Sequence, residues 1–544
     1  MKRIVVLGGG FGGVYTAVAL ERLLGDAPDV EITLVSRENY MVFQPMLPEV
    51  ISGSIGLVDT IAPIRRLCPR TNLYTRAVEG IDLARRRITA AAGFGSRQCA
   101  LAFDHLVIAL GNVTTFAGQP GLMEHALPFK YLGDALAIRN RVIHVLEEAD
   151  IEPDPAVRRA LLTFVVAGGG FSGVEAVAEM NDFVRAAARA YRNIDAREIR
   201  VVLLHSGALI LPELPASLAR FAQRLLARRG VELRLGARLA GATADAALLE
   251  DGERIATRTL VSTVPSGPNP LVAALPVKKE RGRIVVDRHL AVPEHPGVWA
   301  LGDCAWVIDA RTGEPCPPTA QHATRQAACL AGNLVAALRG GAPRAFSFTA
   351  LGKMGSLGHR SAVAEIMGVR ISGFLAWWLW RTIYLMKLPG LDRKIRVATD
   401  WTLDLLLPPD IVQLKTEPGM AVRREHFEAG QTIFREGDRG DWLYVVVQGE
   451  VEVSKHVDGR GDVPLRRLGP GECFGEIAVV REGPRTATVR SVSSVDVVAV
   501  DRAAFGTLFS TLPPLRGFVE SLIRDRLGPV PGRRADRPEA GRAQ

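Results

Sequence analysis

Residues 2–13 read KRIVVLGGGFGG and residues 162–173 read LTFVVAGGGFSG. Each stretch is a short apolar run closed by clustered glycines. Helical spacing follows (VYTAVALERLL after the first, VEAVAEM after the second), then another apolar run, VEITLV at 30–35 and IRVVLL at 199–204. Strand, glycine turn, helix and strand make a unit suited to holding a dinucleotide. Gly8, Gly10 and Gly13 fit G-x-G-x-x-G in the first unit, with Gly12 beside them; Gly168, Gly170 and Gly173 fit it in the second. The first glycine permits the tight turn, the second lets a pyrophosphate approach the backbone, and the third lets helix and strand pack closely. The helix then offers free N–H groups and a positive dipole end to the phosphates. The duplication predicts an α/β chain with two Rossmann-like dinucleotide-binding domains.

An acid is expected where the second strand of each unit ends, to hold ribose hydroxyls. The first unit has Ser36 and Arg37 there, with Glu38 next; the second has His205 and Ser206. Without a carboxylate to repel a 2′-phosphate, the second site favours NADH over NADPH only weakly. Glu175 and Glu179 lie one turn apart on one face of the second helix, either as acids that offset its dipole or, for Glu175, as a group beside the reacting centre. The segment ending LVIALG contributes Gly111. VWALGD ends in Asp303, placed after a strand and a glycine to meet a flavin's ribityl or pyrophosphate region. Two such cradles on one chain imply a relay, in which a nicotinamide reduces a tightly bound flavin and the flavin reduces something else.

Composition bounds these readings. With 48% apolar and 23% charged residues, the 544-residue chain is neither disordered, collagen-like nor a polytopic membrane protein. A net charge of +9 is a mild excess that suits an anionic lipid surface at least as well as nucleic acid, and no basic block interleaved with aromatics supports the latter. The six cysteines are scattered with no CxxC pair, so neither a metal site nor a disulfide framework is expected. The N-terminus runs directly into a strand and leaves no room for a signal peptide. The longest apolar stretch, 371–388, is interrupted by Arg381 and Lys387 and falls short of a spanning helix.

NYMVFQPMLPEV (39–50), residues 106–142, GGGFSGVE (168–175) and PPTAQHA (317–323) together resemble a type II NADH dehydrogenase, the single-subunit, non-proton-pumping NADH:quinone oxidoreductase with FAD. The resemblance covers most of residues 1–410. It implies FAD at the first cradle, NADH at the second with NADPH as the alternative, and a membrane quinone as acceptor. It also implies Glu175 and Gln321 as catalytic residues and a homodimer. The family's A-Q-x-A-x-Q motif is matched by Ala320, Gln321 and Ala323, whereas Arg325 takes the final position and Gln326 follows one residue late. Disulfide and sulfide:quinone reductases need cysteines near the flavin, and none occurs between 100 and 303.

Phe374, Trp377, Trp378, Trp380 and Tyr384, together with Arg381 and Lys387, suit a headgroup boundary; a buried core or dimer helix is the competing reading. The family is monotopic through its C-terminal region, which implies a peripheral place on the cytoplasmic face of the cell membrane. From 411 the texture changes to short β-type runs between Gly and Asp turns, as in TIFREGDRGDWLYVVVQGEVEV. Residues 411–528 resemble a cyclic-nucleotide-binding domain, carried by FGEIA (474–478) and Pro484–Ala487. The resemblance puts Glu476, next to Gly475, on the ribose and Arg485 on the phosphate of cAMP or cGMP, with Thr486 adding a contact. A roll retained only for packing is the alternative. The domain expectation is 1–155 and 276–345 for FAD, 156–275 for NAD(P)H, 346–410 for the membrane region, 411–528 for the roll and 529–544 for a disordered tail. A redox sensor with little turnover is the rival to an enzyme.

Overall fold

The computed structural model describes residues 1–91, 99–116, 118–263, 266–414, 422–438, 440–457, 461–481, 483–502 and 505. They form two compact units, one running to residue 414 and one from 422 onward. The helix expected to lid the roll (about 513–527) and the tail at 529–544 lie outside the described residues.

In the first unit β1 (Lys2–Leu7), β2 (Val30–Ser36), β3 (Asn72–Thr75) and β4 (His105–Ile108) pair in parallel. The glycine turn after β1 opens α1 (Phe11–Leu24). Further on come α2 (Leu47–Ser52) and α3 (Leu132–Ile151). A second parallel sheet is built from β5 (Ala126–Pro128), β6 (Thr163–Ala167), β7 (Arg200–His205), β8 (Val231–Leu235) and β9 (Thr259–Ser262), in the order β5-β9-β6-β7-β8. Here the turn after β6 opens α4 (Phe171–Ala187). β10 (Val298–Ala300) then returns to the first sheet beside β4, giving the order β10-β4-β1-β2-β3.

The apolar runs behave as strands covered on both faces should. All five residues of β6 and the last four of β1 are buried. α5 (Ala320–Arg339) packs on α1. It starts at Thr319, whose side chain accepts the His322 N–H, and stops at Gly340 in the left-handed conformation.

A three-stranded antiparallel meander follows, β11 (Gly352–Ser356), β12 (Ala362–Ile366) and β13 (Val369–Gly373). It leads into α6 (Phe374–Lys387) and α7 (Leu391–Asp404). α6 divides by face: Ala376, Trp377 and Trp380 are buried, whereas Phe374, Trp378 and Met386 are 61%, 52% and 70% exposed. Among the described residues no helix is long and apolar enough to cross a membrane.

The second unit is a roll of two four-stranded antiparallel sheets. β14 (Val422–Phe427), β15 (Thr432–Phe434), β16 (Trp442–Gln448), β17 (Val451–Val457), β18 (Gly461–Leu468), β19 (Cys473–Phe474), β20 (Thr488–Ser491) and β21 (Val495–Asp501) form the orders β14-β21-β16-β19 and β15-β20-β17-β18. Between the sheets Tyr444, Val446, Val451, Phe474, Val489, Val495 and Val497 make the core. The alternating strand pattern with glycine turns is what an antiparallel sheet with one buried face requires.

Candidate active site

One cleft of about 780 Å³ runs through the first unit. Gly8, Gly10, Gly12, Ser36, Arg37, Gly111 and Asp303 line it from the first sheet's side, and Ser172, Glu175, Ser262 and Thr263 from the second sheet's side. The glycines have different reasons to be there. A Cβ on Gly13 would stand 1.9 Å from the Gly8 carbonyl oxygen, and one on Gly173 would stand 1.8 Å from that of Gly168. Those two are required by helix-on-strand packing. Gly10 is not: a Cβ there meets nothing within 4 Å. Protein packing does not account for Gly10, whereas a pyrophosphate pressed against the backbone does. Gly170 repeats the pattern, its nearest neighbour being a Glu213 oxygen at 3.7 Å. The residues present therefore fit a dinucleotide at each turn. Gly10→Val is expected to fold normally and to be isolated colourless; its ratio of visible to ultraviolet absorbance checks this.

The sequence reading missed the polar middle of the cleft. Lys130 donates its Nζ–H to both the main-chain and the side-chain oxygen of Asn112, the former at 2.7 Å. Burial pulls the ammonium down to about 8 against the opposing pull of Asp303 and Asp134. Asp303 is shifted the other way, upward, by burial, with Lys130 and Arg283 countering. The Gly302 N–H beside it donates to Gln326 Oε1 at 2.8 Å. Gln326 is thus the inward glutamine of α5. Gln321 is absent from the cleft wall, and its Oε1 accepts the Leu351 N–H at 3.3 Å. Arg325 is exposed with its guanidinium 5.5 Å from the Phe348 ring centroid. At the second cradle, His205 Nε2 stands 2.9 Å from the Leu209 carbonyl oxygen and holds the loop after β7.

Glu175 faces the cleft with buried acids behind it. Its Oε1 accepts the Ser356 N–H at 2.9 Å. Burial pushes its carboxyl up to about 8, with that hydrogen bond opposing and the Glu49 charge reinforcing the shift. Glu175 is half-buried at the cleft wall, whereas Glu179 behind it is buried and is raised chiefly by desolvation; the Ser356 hydroxyl lies 3.4 Å from its Oε1. Neither acid lies in the first turn of α4, so the dipole-offsetting reading does not hold. Glu49, on α2 and 2% exposed, accepts from Arg381 at 3.3 Å and from the Trp401 indole N–H at 3.1 Å. Arg381 is stacked between Trp377 and Trp401, 4.3 and 4.6 Å from their centroids. This corrects the headgroup expectation for Arg381, Trp377 and Trp380. They belong to the interior, because Glu49 needs a buried cation and the two indoles supply its apolar walls.

In the roll, Arg485 is 4% exposed. It donates to the carbonyl oxygens of Gly475 at 2.9 Å and Trp442 at 2.8 Å, and its guanidinium lies 4.0 Å from the Phe434 ring centroid. Glu476, at the start of a short helix (Glu476–Arg481), is buried nearby in sequence, and Thr486 is exposed.

Comparison with known proteins resolves what this geometry belongs to. Residues 2–327 match the pyridine nucleotide-disulphide oxidoreductase family, residues 351–407 the NDH2 C-terminal domain and residues 424–511 the cyclic nucleotide-binding domain. The chain is 32% identical over 421 residues to the type II NADH:quinone oxidoreductase Ndh of Mycobacterium tuberculosis, covering 74% of this chain and 88% of that one. The chain belongs to the type II NADH:quinone oxidoreductases. A probable NADH dehydrogenase of Dictyostelium discoideum is 29% identical, covering 75% and 91% of the two chains. The NDH2 of Plasmodium falciparum, solved in complex with NADH, shares the fold with a TM-score of 0.70 at 18% identity, over 76% of this chain and 99% of that one.

In this type II NADH:quinone oxidoreductase the meander, α6 and α7 are the NDH2 C-terminal domain, and their buried faces supply Ser356, Trp380, Tyr384 and Arg381 to the surroundings of Glu175 and Glu49. Glu175 and Glu179 were singled out from the sequence, whereas Glu49, in LPEV, was not. Neither was the cage around them, since Arg381 reaches Glu49 across 332 positions of sequence.

Proposed function

We propose that this chain binds FAD along the first cradle and NADH at the second, and passes two electrons to a membrane quinone near Glu175. The observation that carries this is the single cleft in which Gly10, Asp303, Glu175 and Thr263 all take part. Bound FAD would supply the redox step, accepting hydride from the nicotinamide and releasing electron pairs to the acceptor. The chain's own residues do the rest. Ser36 and Arg37 bind the adenosine half, while Gly10 and Gly111 leave room for the phosphates. Asp303, Lys130 and Asn112 hold the polar chain between the two ends. Gly170 admits the second dinucleotide, and His205 in place of an acid leaves NADPH as an alternative donor. Glu175, neutral near pH 7 because of its burial, holds a proton for the reduced acceptor. Gln321 stays a candidate for the acceptor's outer edge.

The exposed side of α6 and α7, with Phe374, Leu375, Trp378, Met386, Leu391 and Ile395, suits shallow insertion at the cytoplasmic surface of a membrane. A homodimer is the assembly we expect.

The roll is proposed to bind cAMP or cGMP and to modulate quinone turnover. Glu476 would hold the ribose, and Arg485, released from the Gly475 and Trp442 carbonyls, the phosphate. The match of residues 424–511 to the cyclic nucleotide-binding domain supports this. Within the first unit the chain up to Leu414 is tied down. Asn140 exchanges two hydrogen bonds with Leu414, at 2.7 and 3.0 Å, and Arg139 donates to the carbonyl oxygens of Asp410 and Ile51, the latter at the end of the helix that carries Glu49. Steady-state kinetics with NADH and NADPH and a short-chain quinone, with and without each cyclic nucleotide, tests the whole reading. Turnover that changes with nucleotide, and an Arg485→Ala variant that loses the response, are expected. Nucleotide binding without turnover would favour the sensor.

A further inference from the structure

The two cradles match in most respects and differ in one. Ser36 and His205 take equivalent places: a Cβ on Gly9 would collide with the Ser36 side chain, and one on Gly169 with the His205 ring. At the next glycine the cradles part. Nothing lies within 4 Å of a Cβ on Gly10, whereas Glu213 Oε1 lies 3.7 Å from one on Gly170. The loop that leaves β7 folds back to put it there. Leu211, buried and in the left-handed region at φ +52°, donates its N–H to the Gly169 carbonyl oxygen at 2.7 Å. That conformation is uncommon for leucine and persists only where the surroundings hold it. The Leu214 N–H closes a turn on the Leu211 carbonyl oxygen at 2.9 Å. From the other side Lys353 on β11 donates to the Glu213 carbonyl oxygen at 2.8 Å. The main chain of Glu213 is thus fixed from both directions. Its exposed side chain is left to meet whatever lies on Gly170.

A pyrophosphate on Gly170 carries a ribose, one methylene away, at each end. The ribose beside the end of the second strand is the adenosine one, and there a carboxylate tells NADH from NADPH. His205 cannot do so, since its ring is held by the Leu209 carbonyl oxygen. The stretch 206–215, SGALILPELP, has no lysine or arginine to receive a 2′-phosphate, and Glu213 is its one charged side chain. We propose that Glu213 is the specificity-determining residue of the second cradle: its carboxylate accepts hydrogen bonds from the adenosine ribose hydroxyls of NADH and repels the 2′-phosphate of NADPH. This rests on the reading of the second cradle as the nicotinamide-nucleotide site. Repulsion between Glu213 and the pyrophosphate weighs on both donors alike and cancels in their ratio, so the discrimination comes from the 2′ position alone.

The test uses the full-length holoenzyme and reads kcat/KM for NADH and for NADPH with a short-chain quinone. Wild type is compared with Glu213→Gln and Glu213→Lys. Reoxidation by quinone of the dithionite-reduced protein bypasses the second cradle, and reports that each form is folded and loaded with cofactor. Wild type should favour NADH. The NADH-to-NADPH ratio should fall about tenfold in Glu213→Gln, through KM rather than kcat, because a charge repulsion and a charge-assisted hydrogen bond are both lost. It should fall further in Glu213→Lys, which offers the 2′-phosphate a cation. Added salt should narrow the wild-type ratio, since exposed charges are screened, and should move that of Glu213→Gln much less. A ratio that is the same in all three forms, or a wild type that favours NADPH, overturns the role of Glu213 and leaves the donor site standing. A wild type that neither nucleotide reduces, although quinone reoxidises it after dithionite, overturns both.

Discussion

Glu175→Gln is expected to lower NADH:quinone turnover by about 10²–10⁴-fold, the usual worth of a positioned general acid. Glutamine keeps the shape and can still accept the Ser356 N–H, so the loss isolates the proton. The wild-type pH profile should carry the same signature. Burial holds the Glu175 carboxyl up to about 8. Below that pH the group is protonated and able to donate; above it the proton is gone and quinone turnover declines. An ordinary carboxyl would already be empty at neutral pH. A profile flat through pH 8, or one that falls near pH 4 to 5 as an ordinary glutamate would dictate, contradicts the assignment.

Arg381→Met should destabilise the oxidoreductase unit, approaching about 3–5 kcal/mol, the range seen when one partner of a buried ion pair is removed, only where Glu49 is ionised. Methionine fills the space between Trp377 and Trp401, so packing is nearly conserved and the charge is what goes. Glu49 is then left among Glu179, Asp404, Trp401 and apolar groups, with Asp404 losing the same cation. The loss should depend on pH in a defined direction. Burial already raises the Glu49 carboxyl above its ordinary 4.5, and removing the arginine raises it further. A carboxyl whose pKa is higher folded than unfolded disfavours the fold increasingly as pH climbs above the unfolded value. The deficit should therefore be nearly constant up to about pH 7, where Glu49 of the wild type begins to ionise, and widen above it. Denaturant unfolding of wild type and variant at two pH values measures it. A deficit that shrinks as pH rises would mean that Glu49 does not depend on Arg381.

The two glycine turns were legible from sequence because their constraints are local. Gly8 and Gly168 adopt φ of +114° and +120°, and at Gly13 and Gly173 a Cβ would collide with the carbonyl five residues earlier. Each such demand is satisfied within one short segment, so it leaves a fixed spacing. Gln321 and Gln326 show where spacing runs out. The motif singled out Gln321, but the buried stripe of α5 runs through His322, Ala323, Gln326, Ala327 and Leu330. Gln326 lies on that stripe and reaches Gly302, whereas Gln321 and Arg325 lie off it. The aromatic stretch misled in a different way. Arg381 and Lys387 look alike in sequence, and only the buried carboxylate at Glu49, far away in the chain, decides that Arg381 turns inward. In the roll, FGEIA and Arg485 were readable, yet the guanidinium's present partners are main-chain carbonyls that no side-chain pattern announces.

One cleft is expected to conduct electrons from a dinucleotide to a quinone. Rapid mixing tests it most directly. NADH added to the purified yellow protein without oxygen should bleach its colour, and a short-chain quinone added next should restore the colour at least as fast as steady-state turnover. Colour that NADH bleaches and quinone fails to restore, or a protein that stays colourless when offered FAD, would contradict it.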